Sequence, residues 1–347
     1  AQGGSSPTIT GNTLSGNGIF GLTLSADSTT TKVSGNTISG NSLNGIGVTG
    51  GVLPANVMWD GDAPYVLNGG TTVPAGVTLT LVPGTVVKGG ALVVNGTLIA
   101  NGTAVAPIVF TSLRDDSYGG DTNGDGVATV PAAGDWGGLT IDSSSINDQL
   151  SHVLIKYAGL VGQSLYIATS SLTLTASTIS DGIQTGVRID NATPTLSGNV
   201  IERHSHGVVL NTANAQLSGN TIRNNGGSGI VAQGGSSPTI TGNTLSGNGV
   251  FGVSNSNVAG NIIAKSNWWG SSLGSLDNSD DRPTGGWYNP GGLGDKVSDR
   301  VNYTPWLTSN PNATSSITLS GNVRDAGTSQ PIANVLVQLG LYGAYSN

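Results

Sequence analysis

The chain has 347 residues, of which 56 are Gly, 9% are charged and 36% are hydrophobic, and its formal net charge is −7. That length suits one elongated domain or two compact ones, and so much glycine with so little charge fits neither a helical protein nor a highly charged disordered chain. Zero Cys excludes a disulfide framework and thiolate chemistry, no apolar run approaches the ~18 residues of a membrane helix, and the dispersed Lys and Arg form no basic stripe for nucleic acid.

Residues 1–18, AQGGSSPTITGNTLSGNG, recur without a mismatch at 232–249, where they continue from GGSGIV. The stretch is therefore one unit of a repeat that ordinarily has a predecessor. At residue 1 it predicts an edge covered by upstream coils or by a neighbouring subunit docking head to tail, since AQGGSSPT offers nothing bulky or charged as a cap. Within the unit, Ile9, Leu14, Ile19 and Leu22 are separated by Gly, Asn and Ser, which predicts short strands that cannot bury their faces alone. Asn12, Asn36, Asn199, Asn220, Asn243 and Asn261 each stand in a G-N-[TVI]-[LI] frame, with neighbouring spacings of 24, then 21, 23 and 18. That period is one turn of a solenoid. With strands stacked about 4.8 Å apart, the repeated amides predict a hydrogen-bonded ladder; sugar ligands are the alternative reading of the same asparagines.

Next comes an apolar passage, VTLTLVPGTVVKGGALVVNGTLIANGTAVAPIVFTS (77–112), followed by a polar insertion at 113–135 and by GDWGGLTI at 134–141. The insertion contains D-T-N-G-D-G at 121–126. Oxygen ligands at alternate positions, with Gly where the loop must bend, suit a hard cation such as Ca²⁺. Asp121, Asn123 and Asp125 are the expected ligands, joined by Asp115, Asp116 or Asp135; the twelfth position is Ala132, so the loop is not an EF-hand. A solvated acidic turn is the competing account. The role expected for the ion is structural, holding one conformation of a long polar loop.

Strand-like runs continue through HVLIKY (152–157), SLYIA (164–168), SLTLTAS (171–177) and GVRID (186–190). Trp268, Trp269, Trp287 and Trp306, with Tyr288 and Tyr303, then form the densest aromatic cluster of the chain within 267–307. They read either as a cap over the last coil or as a platform for sugar rings. After Leu307, residues 308–316 read as a linker and residues 317–347 as a strand extension, with alternation in ITLSGNV and NVLVQLG.

The S-G-N-x-I units resemble the right-handed parallel β-helix repeats of the pectate-lyase-like superfamily. The passages at 77–112, 134–141 and 267–307 are similar to its branch among large secreted and surface proteins of bacteria, and the tail resembles the opening of a carboxypeptidase-regulatory-like β-sandwich. The fold expected for residues 1–307 is thus an all-β, right-handed, single-stranded parallel β-helix of about a dozen coils, carrying a C-terminal β extension. The resemblance also raises catalysis, since lyases of this superfamily set a carboxylate-bound Ca²⁺ beside an Arg or Lys base, and the related polygalacturonases use paired Asp with G-H-G and R-I-K elements.

His152, Lys156, Arg188, Asp190, Arg203, His204 and His206 fall on successive coils, yet the chain has His-Ser-His-Gly for the first element and Arg-Ile-Asp for the second, in reversed order. Asp190 and Glu202 lie in different parts of their repeats, so the two-carboxylate arrangement of glycoside hydrolysis is not evident. No catalytic residue is assigned. The expected role is a non-catalytic structural and interaction protein of the cell surface, self-associating head to tail into a filament or engaging a polysaccharide. The alternative is a polysaccharide lyase or glycoside hydrolase with its cleft on residues 152–206.

Overall fold

A computed structural model describes residues 1–28, 32–60, 62–257, 260–313, 328, 336–339 and 342–345. One compact unit spans Ala1–Asn312 and a second spans Ala313–Asn347. The first is a right-handed parallel β-solenoid of about 13 turns. No helix among the described residues is long and apolar enough to cross a membrane.

Three faces build the solenoid. The first stacks Val86–Lys88, Ile108–Thr111, Val153–Lys156, Thr178–Ser180, Val200–Glu202, Thr221–Arg223 and Thr244–Ser246. The second stacks Ala91–Val94, Gly138–Ile141, Gln163–Ile167, Thr185–Asp190, His206–Asn211, Ile230–Gln233 and Val253–Asn255. The third is a ten-stranded sheet running from Val57–Trp59 to Val301–Asn302. Towards the N-terminus the first two faces merge into long strands, Leu43–Val52 and Tyr65–Val73.

Most of these strands are three to six residues long, far too short to be stable singly. In-register stacking turns them into continuous interior columns. On the first face Phe110, Ile155, Ile179, Ile201, Ile222 and Leu245 succeed one another, on the second Leu139, Leu165, Val187, Val208, Ile230 and Val253, and on the third Leu150, Leu174, Leu196, Leu217 and Ile240; none exceeds 1% exposure. Each such side chain contributes about 1.5–3 kcal/mol by leaving water.

The corners explain the repeated Gly-Asn pair. A sharp turn between the third and first faces requires one residue at positive φ, supplied by Ala176, Gly198, Gly219, Gly242 and Ser266 in successive turns. Glycine adopts that conformation without strain. The next residue points inward, and at Asn199, Asn220, Asn243 and Asn267 it forms a ladder. The Asn220 Nδ2 donates to Leu196 O and to Asn243 Oδ1, while its Oδ1 accepts from the Asn199 backbone N and Nδ2 at 3.0 and 2.9 Å. Asn12 and Asn36 repeat the pattern in the first turns.

Asn261 stands outside the ladder and is exposed; Asn267 occupies that rung. The reason is positional, because Ile262–Ile263 pairs on the third face, one strand before the corner, whereas Val200–Glu202 and Thr221–Arg223 follow it on the first. A second ladder at the next corner went unread in the sequence. It follows the left-handed residues Gly16, Gly40, Arg203, Asn224 and Gly247, joins Asn17 to Asn41, links His204 N to Asn225 and Asn225 to Asn248, and ends on Asp295. His204 holds one rung of it. Its Nε2 lies 3.1 Å from Ser164 Oγ, and its Nδ1 is buried without a partner.

The solenoid unit continues past the expected boundary at 307, because Asn310 Oδ1 accepts from Thr244 Oγ1 and Asn312 Nδ2 donates to Asn220 O. Residues 314–316 of the expected linker and the run ITLSGNV lie outside the described residues. In the second unit, Leu336–Leu339 pairs antiparallel with Tyr342–Tyr345.

Two consequences are measurable. Replacing Asn220 by Ala takes the acceptor from the buried Asn199 N–H and the side-chain donor from Leu196 O and Asn243 Oδ1, at a cost of about 2–3 kcal/mol in denaturant unfolding, whereas Asn12→Ala at the exposed end costs under about 1 kcal/mol; equal costs would contradict the ladder. Burial pushes the His204 imidazole down to about 4 from an ordinary 6.5, so below pH 6.5 the unfolded chain takes up a proton that the folded chain refuses. Stability from the neutral ring is complete above pH 6.5 and is lost as pH falls to 4, about 3 kcal/mol in all. His204→Asn, which restores an amide to the rung, should lose that much less stability than the parent between pH 7 and 4.

Candidate functional sites

The insertion at 113–135 folds back over the first face of the N-terminal turns. Lys88 anchors it from beneath: fully buried, its Nζ donates to Asp115 O at 2.8 Å, Gly120 O at 3.1 Å and Thr122 Oγ1 at 2.8 Å. Burial lowers this ammonium to about 8, and the charges of Asp115, Asp116 and Asp121 act against the fall. At its far end the loop is tied by Ser112 and Arg114, both of which donate to the Asp135 carboxylate, at 2.6 and 3.1 Å. It also reaches the second turn, where Asn44 N donates to Thr122 O at 2.7 Å and Asn44 Nδ2 to Asp121 O at 3.2 Å. Gly124, at φ +68, lies so close to Ser42 that a Cβ would sit 2.8 Å from its carbonyl oxygen.

Within this loop, carboxylate oxygens of Asp116, Asp121 and Asp125 lie within 4.8 Å of one another. Asn123 stands beside them, its Nδ2 donating to Asp125 Oδ2 at 2.8 Å. Asp121 closes the turn by accepting from Asp125 N and Gly126 N. Asp115 does not join the cluster, because its carboxylate is engaged by Thr111 Oγ1 and Ser117 N. Asp135 is likewise committed, to Ser112, Arg114 and Ala132 N. Burial and then the neighbouring Asp121 raise the Asp116 carboxyl above its ordinary value.

The residues weighed for catalysis are spread around the solenoid. Lys156 projects from the first face between the rings of Tyr118 and Tyr157, 5.5 and 4.9 Å from their centroids. Below it, Arg203 bridges Asp181 and Glu202, and Arg223 Nε donates to Glu202 Oε2 at 2.7 Å. Arg188 lies on the second face, where its Nε donates to both oxygens of Asp190, and Tyr166 donates to the same carboxylate at 3.2 Å. His152 occupies a left-handed corner beside Ser151, and His206 Nδ1 accepts from Ser228 N. Asp190 and Glu202 are on different faces.

The tryptophans gather at the C-terminal end of the solenoid without forming one flat platform. Trp269 is fully buried, edge-on to Tyr303 at 6.4 Å and 82°, and Tyr303 is tilted against Trp306 at 6.2 Å. The Trp306 indole N–H donates to Ser272 O, and the Tyr303 hydroxyl donates to Asp277. Trp268 is half-buried and bridges to Thr244, continuing the first face, while half-buried Trp287 packs on the core. A second aromatic pair was not anticipated from sequence: Trp59 and Tyr65, both buried, stack at 4.6 Å and 9°.

The third face is the chemical opposite of the first. Its outward positions, among them Thr80, Ile99, Gln149, Thr173, Thr195, Gln216 and Thr239, form one stacked row, and Asn101, Ser151, Thr175, Ser197, Ser218 and Thr241 form another. No charged residue projects from the described strands of this sheet. A shallow, open hollow of about 300 Å³ lies over three of its strands, lined by Asn101, Gln149, Leu150, Ser151, Thr173 and Thr175.

Two family models match the chain, the right handed beta helix region over residues 131–279 and the pectate-lyase like beta helix domain over residues 51–154. No curated protein and no solved structure gives a significant match. Both matched ranges fall on the three-faced stack with its in-register columns, and the right-handed parallel β-helix seen there is the fold that both family models describe.

Proposed function

We propose that this solenoid is a structural and interaction module working outside the cell, and that it is not an enzyme. The observation carrying this reading is that the two carboxylates weighed for acid–base chemistry are each held by arginine. Arg188 holds Asp190, Arg203 and Arg223 hold Glu202, and the His206 Nδ1 is occupied by a backbone amide. Glycoside hydrolysis requires two carboxyl groups facing one bond, about 5–9.5 Å apart. Asp190 and Glu202 instead point from separate faces. The extracellular setting rests on the resemblance of the 77–112, 134–141 and 267–307 passages to secreted bacterial proteins.

The interaction surface of this reading is the third face, and its partner is a neutral polysaccharide. Hydroxyl and amide side chains both donate and accept, as sugar hydroxyls do, and an uncharged sheet in a chain of net charge −7 avoids both repelling and selecting ions. Rows repeating at the strand spacing of about 4.8 Å present the same contacts again and again to a polymer lying along the axis.

Retention on insoluble neutral and acidic glycans, combined with assays for new reducing ends or unsaturated products, tests both halves. The expected result is retention on a neutral glycan without cleavage, weakened at least about tenfold when Thr175→Glu and Thr195→Glu place charge on the face, a loss of about 1.4 kcal/mol or more. Cleavage abolished by Arg188→Ala or His206→Ala would overturn the non-catalytic reading. Retention on none of the glycans would remove the polysaccharide.

A further inference from the structure

The insertion loop holds oxygens that have nothing to bind. Oδ1 of Asp116, Oδ1 of Asn123 and Oδ1 of Asp125 each expose less than 1 Å² and accept no hydrogen bond. Buried acceptors of this kind are costly, and ionised ones more so. Their neighbours make the imbalance worse: the carboxylates of Asp116, Asp121 and Asp125 converge within 4.8 Å, and none of the three has an ion-pair partner among the described residues. Lys88 lies beneath them, yet its ammonium is committed to Asp115 O, Gly120 O and Thr122 Oγ1, and it brings one positive charge against three negative ones.

We propose that this loop is a calcium site, with Asp116, Asp121, Asn123 and Asp125 as side-chain ligands, and that the ion fastens the insertion to the second turn of the solenoid. Three oxygens no more than 4.8 Å apart leave a centre at most about 2.8 Å from each, the separation divided by √3. A small contraction brings such a centre to the 2.3–2.6 Å of Ca²⁺–oxygen bonds, and a loop of flexible carboxylates suits Ca²⁺ better than Mg²⁺, which demands a near-ideal octahedron and gives up its waters reluctantly. The set is oxygen only, three carboxylates and one amide carbonyl, which suits a hard cation and not a softer transition metal. Asp115 and Asp135 are excluded as ligands, since each carboxylate already accepts from the loop's own donors. The mechanical consequence follows from the contacts on either side. Asp121 O and Thr122 O accept from Asn44, and Gly124 abuts Ser42, so fixing residues 121–125 also fixes the edge of the turn at Ser42–Asn44.

The test is calcium titration of the native chain after chelator treatment and desalting, followed by calorimetry, thermal melts and hydrogen exchange. One Ca²⁺ per chain is expected, bound at least tenfold more tightly than Mg²⁺, with a melting point raised by about 4 °C at a hundredfold excess over Kd. Slower exchange of the Asn44 amide should accompany binding. Asp116→Asn and Asp125→Asn should each weaken binding tenfold or more, whereas Asp142→Asn, on another corner, should not. No binding heat at millimolar Ca²⁺ with an unchanged melt, or affinity indifferent to both loop variants, would overturn the site. Should either variant fail to fold, exchange at Asn44 in the unmodified chain decides, and protection that ignores Ca²⁺ would overturn the fastening.

Discussion

Everything in the solenoid depends on how its corners dispose of backbone polar groups. A coil of about 22 residues must turn three times, and at each corner the ladder of strand hydrogen bonds breaks, leaving amides and carbonyls inside an otherwise apolar stack. The left-handed residue makes the bend and the inward amide after it supplies both a donor and an acceptor. Asn220, for instance, meets a carbonyl of the turn before it and the amide of the turn after it. Because each rung satisfies the next, no corner is complete without its neighbours. The apolar columns therefore supply most of the driving force, and the corner amides set the register in which those columns stack.

How much of this was legible depends on whether a signal is local. Gly-Asn followed by an apolar residue is local, and it located the rungs at Asn12, Asn36, Asn199, Asn220 and Asn243. Asn261 carries the same letters in a different place, since what makes a rung is the corner ahead of the first face and the motif cannot state which corner it occupies. The second ladder had a signal too, a second Asn five residues on at Asn17, Asn41, Asn225 and Asn248, but His204 breaks the letter code while keeping the position. Lys88 lay beyond reach altogether. In sequence it is one cation in a strand; its burial is created by a loop more than 25 residues further on. Trp59 and Tyr65 meet across the corner that joins the third face to the first, and nothing in the local sequence states that this corner brings two rings together.

The outer faces record a division that composition hides. Ion pairs among Asp181, Glu202, Arg203 and Arg223 sit on and beside the first face, with the arginines about half-exposed and the Glu202 carboxylate buried between two of them. No charged residue stands in the ten described strands of the third-face sheet. Since a solenoid's interior is settled by its columns and ladders, outward positions are free to differ from face to face without cost to the stack. An entire uncharged sheet beside a charged one is then a statement about what each surface meets and not about stability.

The duplicated eighteen residues give the cleanest view of where stability resides. In the internal copy Ile240 and Leu245 are 1% and 0% exposed and Asn243 is fully buried, whereas in the first turn Ile9 and Leu14 are only half-buried and Asn12 is exposed. The chemistry of the two copies is identical. What differs is the turn on the upper side: the internal amides of Thr239 and Thr244 donate to Ala215 O and Asn220 O, and the matching amides of Thr8 and Thr13 meet no described turn there. The folding free energy of a unit is thus a property of the interface it shares, and the same letters describe a buried core or an edge according to what stands above them. It follows that a coil of this kind is portable, and that repeating one unaltered costs the fold nothing provided its Gly-Asn corners fall in line with the rungs on either side.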